Sequence, residues 1–370
     1  MNLNLHEAPI VRKTISIDRL FTAVLLVAVA TSPSQAANLK RGAEIFATNC
    51  ATCHGPDGSP DTDSPLVKSM GVVPADFSDT LFNSREGEGE WKLVVTHGGA
   101  ALGFSEFMPA FGESLSGEDI DNVLAYIKTL GGEHDYPDGS LNLFLPIRTK
   151  KAFPEDEWVW KQRYTDQKGD NAWKNTLEYE FRIGRRWQGI LEANYTVKGG
   201  KGEFGHFEPG FKYVLSHNKQ KGSIYTLAAQ VGVPLNGDEP WEFLPYLAMG
   251  KVLGDEWIFQ GSGRLKFDLE DSDHGSAEFA GIVHWVHTPW PRNVFPGLEL
   301  VAEVPFDTSP GEDSAQWSLL PQARIGISKR GHVALNVGAE FPLNERDRYD
   351  WRAYVYLIWD FADGGFFEAW

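Results

Sequence analysis

Cysteine is rare in this chain, with only Cys50 and Cys53 among 370 residues. The two lie three positions apart, so no second pair exists to build a disulfide framework. A structural zinc site would need two further ligands at compatible spacing. We therefore expect the two thiols to serve one local function together.

Long apolar runs are also scarce, and the only one lies near the N-terminus. Three cations within residues 12–19 precede an apolar run at 21–30, and small residues follow at 34–36. This order is typical of a secretory signal peptide over residues 1–36, with the mature chain beginning near Ala37. An uncleaved anchor is the alternative, but the core is nearer ~10 residues than the ~20 a spanning helix needs.

The chain lacks a basic excess, because its formal charge is −17. Nucleic acid attracts basic surfaces, so we expect no nucleic-acid partner. Residues 37–135 contain sixteen acidic side chains against six basic ones. This acidity either serves solubility or steers a basic redox partner toward the domain.

The two cysteines belong to the sequence Cys50-Ala51-Thr52-Cys53-His54, the C-x-x-C-H haem attachment pattern. The spacing lets both thiols add to the vinyl groups of one porphyrin while the adjacent imidazole reaches the iron. We therefore predict one covalently bound haem c, attached through Cys50 and Cys53 and ligated by His54.

The sixth iron ligand is less constrained by the sequence. Met108 begins the sequence Met-Pro-Ala-Phe-Gly, and only four methionines occur in the chain. A thioether ligand raises the potential of haem iron and closes its last coordination position. We predict Met108 as the ligand, with His97 as the rival and Met70 as the weakest candidate. A closed iron favours an electron carrier over a haem enzyme, so we expect no catalytic residues.

These motifs resemble class I cytochromes c over residues 37–135. Residues 38–50 predict a first helix, and Ser116 begins a last helix that ends at Gly131. Gly42, Phe46 and Tyr126 resemble the positions at which the first and last helices of that family cross. The resemblance implies a small all-α fold and electron transfer.

A linker is predicted at residues 136–155, where proline and glycine exclude a continuous helix. Within it, Leu141, Leu143 and Leu145 alternate with other side chains. Two interpretations remain open for this segment, a short strand or a stretch docked on the mouth of the following domain.

From residue 156 to 370 the hydrophobic period changes to two, which indicates strands with one apolar and one polar face. The predicted strands are about 9–14 residues long, close to what a tilted strand needs to cross a bilayer. Twelve are predicted, an even number as bacterial outer-membrane barrels require. They lie near 157–165, 173–183, 187–198, 204–215, 223–235, 241–251, 256–269, 276–287, 297–306, 316–328, 331–343 and 350–361.

This domain resembles outer-membrane β-barrels, because tryptophans collect at strand ends and the last strand ends in the aromatic Phe361. The nine residues after Phe361 depart from the usual ending. Pro234, Pro305 and Pro342 predict repeated rim positions, since proline belongs at strand termini. A soluble β-sandwich is the alternative.

The polar faces predict a lumen lined by charges of both signs, whose internal ion pairs would partly close a pore. Twelve strands lie between filled eight-stranded barrels and open sixteen-stranded porins. The predicted lumen residues are Glu178, Glu180, Arg182, Glu192, Lys212, Gln230, Arg264, Lys266, Glu278, His284, Glu299, Glu303, Arg324, Glu340 and Arg352.

The whole arrangement, an α-helical haem domain followed by an antiparallel transmembrane β-barrel, resembles the cytochrome–porin fusions of iron-oxidising bacteria. Here the haem domain is complete and the barrel is smaller. A domain of this size has a radius of gyration of ~13 Å, so we expect it at the periplasmic mouth of an outer-membrane barrel. The expected partners are periplasmic redox proteins and outer-membrane lipid. Electron transfer, with a part in extracellular electron transfer, is the first hypothesis, and a transport channel with an accessory redox or sensing domain is the second.

Overall fold

The computed structural model describes residues 37–167, 170–237, 239–270, 274–306, 315–344 and 348–361. The predicted signal peptide at 1–36 and the tail at 362–370 lie outside these residues. Among the described residues, no helix has both the length and the apolar character needed to span a membrane.

The N-terminal part of the described chain is helical. Asn38 and Ser116 cap the first and last helices with their side chains, and the predicted helix start at Ser116 is confirmed. Two 3₁₀ turns, Gly99–Leu102 and Gly139–Leu141, complete the helical elements described. The helices are α1 (Leu39–Asn49), α2 (Ala51–His54), α3 (Pro65–Met70), α4 (Thr80–Arg85), α5 (Glu88–His97) and α6 (Gly117–Leu130).

Helices α1 and α6 cross at a glycine. A Cβ atom on Gly42 would lie 2.1 Å from the backbone oxygen of Asn122, so only glycine permits this approach. Next to it, the rings of Phe46 and Tyr126 have centroids 5.5 Å apart. The crossing predicted from Gly42, Phe46 and Tyr126 is confirmed.

Within the residues that the structure describes, twelve antiparallel strands close into a barrel, in which β1 pairs with both β2 and β12. The prediction of twelve strands is confirmed. Their bounds are β1 Glu157–Asp166, β2 Ala172–Arg182, β3 Trp187–Lys198, β4 Lys201–Asn218, β5 Ser223–Pro234, β6 Glu242–Leu253, β7 Trp257–Asp268, β8 Gly275–Trp285, β9 Val294–Pro305, β10 Gln316–Gly326, β11 Val333–Pro342 and β12 Trp351–Asp360.

The two ends of the barrel differ. At the termini end β1 begins and β12 ends, and at the opposite loop end strands β5, β9 and β11 stop at Pro234, Pro305 and Pro342. The predicted rim prolines therefore share one end. Aromatic rings meet near both ends, as Trp158 with Tyr179 at the termini end and Phe243 with Phe267 at the loop end.

The two faces of the barrel wall differ in polarity. Large apolar side chains such as Leu177, Leu247 and Leu298 are about half exposed on the outer face. Polar side chains alternate with them and face the lumen, where Lys212, His284 and Glu299 are fully buried. Inward-facing charges at the predicted lumen positions are thus confirmed.

The segment predicted as a linker enters the lumen. Leu141 is buried against Ile224 and Ala248 of the wall at the termini end. The chain then advances along the wall, where the carbonyl of Phe144 accepts a hydrogen bond from Gln260 at 2.6 Å. We call residues 141–155 the plug.

The plug turns near Arg148 and returns to the termini end. On the way back, the carbonyl of Ala152 accepts from Thr226 at 2.7 Å and that of Phe153 accepts from Lys212 at 3.1 Å. The backbone N–H of Glu155 donates to Gln188 at 2.6 Å immediately before β1 begins. Both sequence interpretations of this stretch, a strand or a segment docked on the mouth, are wrong, because burying its alternating leucines requires the interior of the barrel.

Candidate functional site

The predicted attachment residues lie at the end of α1 and on the short helix α2 that follows it. Cys50 caps the end of α1, and α2 carries Cys53 and His54 immediately after it. Both thiols are free and partly exposed. The two cysteines and the histidine, which are neighbours in the sequence, are therefore also neighbours in the structure.

His54 is held by its ring and by its neighbours. Its Nδ1 atom lies 2.9 Å from the carbonyl oxygen of Ala75, and its ring stacks on Phe77 with centroids 4.6 Å apart. A hydrogen bond on Nδ1 leaves Nε2 as the available ligand atom and fixes the tautomer. Burial lowers the pKa of His54, which favours the neutral form that binds metal.

Met108 lies on a loop that is tied to the end of α5. The backbone N–H of Gly99 donates to the carbonyl of Met108 at 2.9 Å. A Cβ on Gly99 would lie 2.4 Å from the carbonyl oxygen of Ser105, so the loop approaches here only because residue 99 has no side chain. Met108 packs against the same apolar cluster as Cys50.

The rival ligands lie elsewhere. The ring of His97 contacts Trp290 of the barrel, with centroids 4.9 Å apart. Met70 is the last residue of α3 and is followed by Gly71 in the left-handed conformation. Among the three candidates, Met108 is the one that packs against the same apolar cluster as Cys50.

The residues present fit a covalently attached haem. Two thiols, one imidazole with a free Nε2 and one thioether form the donor set that such a group requires. Apolar side chains beside them supply the low-polarity lining, namely Phe77, Trp91, Phe111 and Leu115. Burial raises the pKa of the Cys50 thiol to about 11, so before attachment this sulfur is a neutral thiol.

The helical region contacts the turns at the termini end of the barrel. Arg186, in the turn after β2, pairs with Asp135. Lys219, in the turn after β4, lies 2.5 Å from Glu88 and 3.4 Å from Asp138. Burial raises the pKa of Asp138, but the ammonium groups of Lys219 and Lys128 and the hydrogen bonds from Ser140 together more than offset this and hold the pKa below its usual value.

A second contact lies under the methionine loop. Arg330, in the turn after β10, donates to the carbonyl of Gly103 at 2.9 Å and covers the ring of Phe104 at 4.2 Å. Together with the contact between His97 and Trp290, this places the ligand loop against the barrel. The helical region lies outside the lumen, as its size predicts.

The tip of the plug is held by carboxylates of the wall. The Arg148 guanidinium contacts Glu278, Glu303 and Glu340, and its Nη1 is 3.0 Å from Glu340. The backbone N–H of Arg148 donates to Glu299 at 3.2 Å. One cation therefore pairs with carboxylates on β8, β9 and β11, all more than a hundred residues away in sequence.

The sequence predicted these carboxylates as lumen residues but missed their partner. Arg148 lies in a stretch assigned to a linker, where a charge is ordinarily solvated. A signal was present, since Arg148-Thr149-Lys150-Lys151 is flanked by Ile147 and by Ala152-Phe153. A cationic run between apolar residues, followed by strands with several inward carboxylates, indicates that the cations pair with those carboxylates inside the barrel.

Comparisons with known proteins match the two halves of the chain separately. The family model described as "Cytochrome c" matches residues 39–131. A cytochrome c6 from Picosynechococcus sp. is 36% identical over 112 residues, which cover 28% of this chain and 88% of that protein. A cytochrome c6 from Porphyra purpurea is 35% identical over 118 residues, covering 31% of this chain and 92% of that protein.

Solved structures resemble the barrel at low identity. The NanC porin is 10% identical with a TM-score of 0.41, covering 55% of this chain and 98% of that chain. The KdgM porin solved with disordered oligogalacturonate is 12% identical with a TM-score of 0.42, covering 55% of this chain and 99% of that chain.

Proposed function

Because this chain belongs to the cytochrome c family, we propose that it is an electron-transfer protein with one haem c, anchored by a barrel in the outer membrane. The observation that carries the proposal is the hydrogen bond from His54 to the carbonyl of Ala75, beside Cys50 and Cys53. It presents an oriented imidazole next to two free thiols. The bound haem supplies one-electron transfer.

Met108 is the sixth ligand in this proposal. Its loop is fastened to the end of α5 by the Gly99 hydrogen bond, which fixes where the thioether lies. The imidazole of His97 faces Trp290 instead and thereby positions the loop against the barrel. With His54 and Met108 both supplied by the chain, a bound haem would serve electron exchange rather than substrate binding.

The outer membrane is the proposed location of the barrel. Exposed apolar area of this extent on a folded protein is typical of a membrane or protein interface. The outer face presents Trp160, Phe211 and Phe279 without polar cover, and aromatic pairs lie near both ends, as in the girdles of transmembrane barrels.

The cytochrome region is proposed to lie in the periplasm. It contacts the turns of the termini end, and a folded domain with a radius of gyration of ~13 Å does not pass through the lumen. When the barrel inserts into the membrane from the periplasm, this domain therefore stays on the periplasmic side. Its acidic surface then faces soluble periplasmic redox proteins, whose basic faces it attracts.

The plug argues against the second hypothesis, an open transport channel. Its backbone is hydrogen-bonded to the wall along both of its arms, and Arg148 pairs with carboxylates at its tip. Free passage of solute requires displacement of these contacts. We further propose a role in extracellular electron transfer. Electron transfer across the membrane to an external acceptor requires a redox partner at the loop end.

Voltammetry of the purified protein on an electrode tests the proposed function. We expect one reversible one-electron wave from the wild type, loss of that wave in His54→Ala, and its retention in the control His134→Ala. His134 contacts Tyr136 and lies outside the ligand set. A haem-loaded wild type without a one-electron wave would overturn the proposal.

A further inference from the structure

A second site candidate lies in the lumen, beside the tip of the plug and toward the loop end. A cavity of about 160 Å³ is found there, large enough for several water molecules. Its charged lining includes two carboxylates, Glu192 and Glu278, and six cations. The cations are Arg148, Lys150, Lys161, Arg163, Lys174 and Arg264. The lining thus has an excess of four positive charges in a chain whose net charge is −17.

Three of the six cations are already neutralised by wall carboxylates. Arg148 pairs with the carboxylates at the plug tip. Lys161 lies 2.6 Å from Glu178, and Arg264 lies 3.3 Å from Glu208. Glu192, the other carboxylate of the lining, lies 3.8 Å from Lys161, which it shares with Glu178.

The other three cations have no such partner. Within the described part of the chain, the Lys150 and Lys174 ammonium groups and the Arg163 guanidinium form no ion pair or hydrogen bond with the protein. The Nε atom of Arg163 is buried and unsatisfied. The nearest aromatic contact of Lys150 is the ring of Tyr246, 5.6 Å from its ammonium. Partly buried cations without partners are costly, so this cluster is suited to an anionic ligand.

The strand register brings two of these three cations together. Arg163 and Lys174 are directly opposite each other across β1 and β2. Like charges at such positions destabilise a sheet. Their outer neighbours are uncharged, since Arg163 pairs with Tyr354 of β12 and Lys174 pairs with Thr196 of β3. No adjacent strand position supplies the missing negative charge.

We propose that Lys150, Arg163 and Lys174 bind a small oxyanion of the phosphate or sulfate class inside the lumen. A guanidinium donates to two oxygens of such an ion at once, and ammonium groups provide further donors. Lys150 comes from the plug, whereas the other two come from the wall. A bound oxyanion therefore links the plug to β1 and β2.

Calorimetry with inorganic phosphate tests this site in the full-length haem-loaded protein in detergent, at fixed ionic strength. We expect saturable binding of one phosphate per chain, weakened at least tenfold in Arg163→Gln and in Lys174→Gln. The control Lys201→Gln removes the same charge from an exposed position near the loop end and is expected to bind like the wild type. Chloride at the same ionic strength is expected not to compete.

Folding of each variant is checked independently by the gel shift on boiling. Arg163→Gln removes a like-charge contact, so it is expected to fold, and phosphate is expected to raise the thermal midpoint of the wild type but not of this variant. The proposal is overturned if the wild type gives no saturable phosphate binding, or if Lys201→Gln weakens binding as much as the two lumen variants.

Discussion

Single residues decide the chemistry of the haem site. The placement of Cys50, Cys53 and His54 next to one another was predictable because the motif is contiguous, whereas their role in haem attachment stays a prediction. The placement of Met108 was less predictable, because Met108 lies on a loop more than fifty residues after His54 in the sequence, and only the folded chain brings that loop close to the cysteines. Gly99 makes that return possible by letting the loop close against the end of α5.

Replacing Met108 by alanine tests the proposed sixth ligand. We expect Met108→Ala to abolish the sulfur-to-iron absorption band of the oxidised protein and to lower its reduction potential, because the thioether raises the potential. The matched variant His97→Ala is expected to keep the band. Loss of the band in His97→Ala together with its survival in Met108→Ala would assign the ligand to the histidine instead.

Gly42 tests the helix crossing. Gly42→Ala places a methyl group against Asn122 and is expected to cost about 1–3 kcal/mol, the range for overpacked sites. Gly117→Ala is the control, since a Cβ there meets open space. Denaturant unfolding followed by haem absorbance measures both. Equal stability of the two variants would contradict the close approach.

Among the elements, the strands were far more predictable than the plug. An alternation of apolar and polar residues is local information, and Pro234, Pro305 and Pro342 mark where three strands stop. The plug has no period of its own. Its partners, such as Glu299 and Asn336, lie more than 150 residues away, so only the closed barrel reveals why these residues are buried.

Arg148 is expected to stabilise the plug and the barrel together. In Arg148→Gln the carboxylates of Glu278, Glu303 and Glu340 lose their shared cation, and we expect a loss of about 3–5 kcal/mol, the usual cost of breaking a buried ion pair. Thermal unfolding on a boiling-shift gel measures this. Arg185→Gln, at an exposed turn, is the control and is expected to change stability by less than ~1 kcal/mol. A similar loss of stability in both variants would argue against a stabilising role for the ion pairs of Arg148.

Removing the plug is expected to open the barrel. Both ends of the plug lie at the termini end, so a short Gly-Ser bridge can replace residues 142–152 without spanning the lumen. We expect the shortened protein to conduct ions across a planar bilayer far better than the wild type. If the wild type conducts as well as the shortened chain, the plug does not close the lumen.

At the scale of the whole molecule, an acidic cytochrome region is fixed to one end of a plugged barrel. Size alone predicted that this region lies outside the lumen. Its contacts were not predictable, because they come from short turns such as the one that contains Lys219, whose partners Glu88 and Asp138 lie far away in sequence. The result is a redox group held at one face of a barrel rather than within it.

The most direct test of this account is fractionation of cell membranes, followed by haem staining of an outer-membrane gel run with and without boiling. We expect one haem-stained band in the outer-membrane fraction whose mobility changes on boiling, because a folded barrel and a covalent haem belong to the same chain. A band that appears only in the soluble fraction, or one without haem stain, would contradict the account.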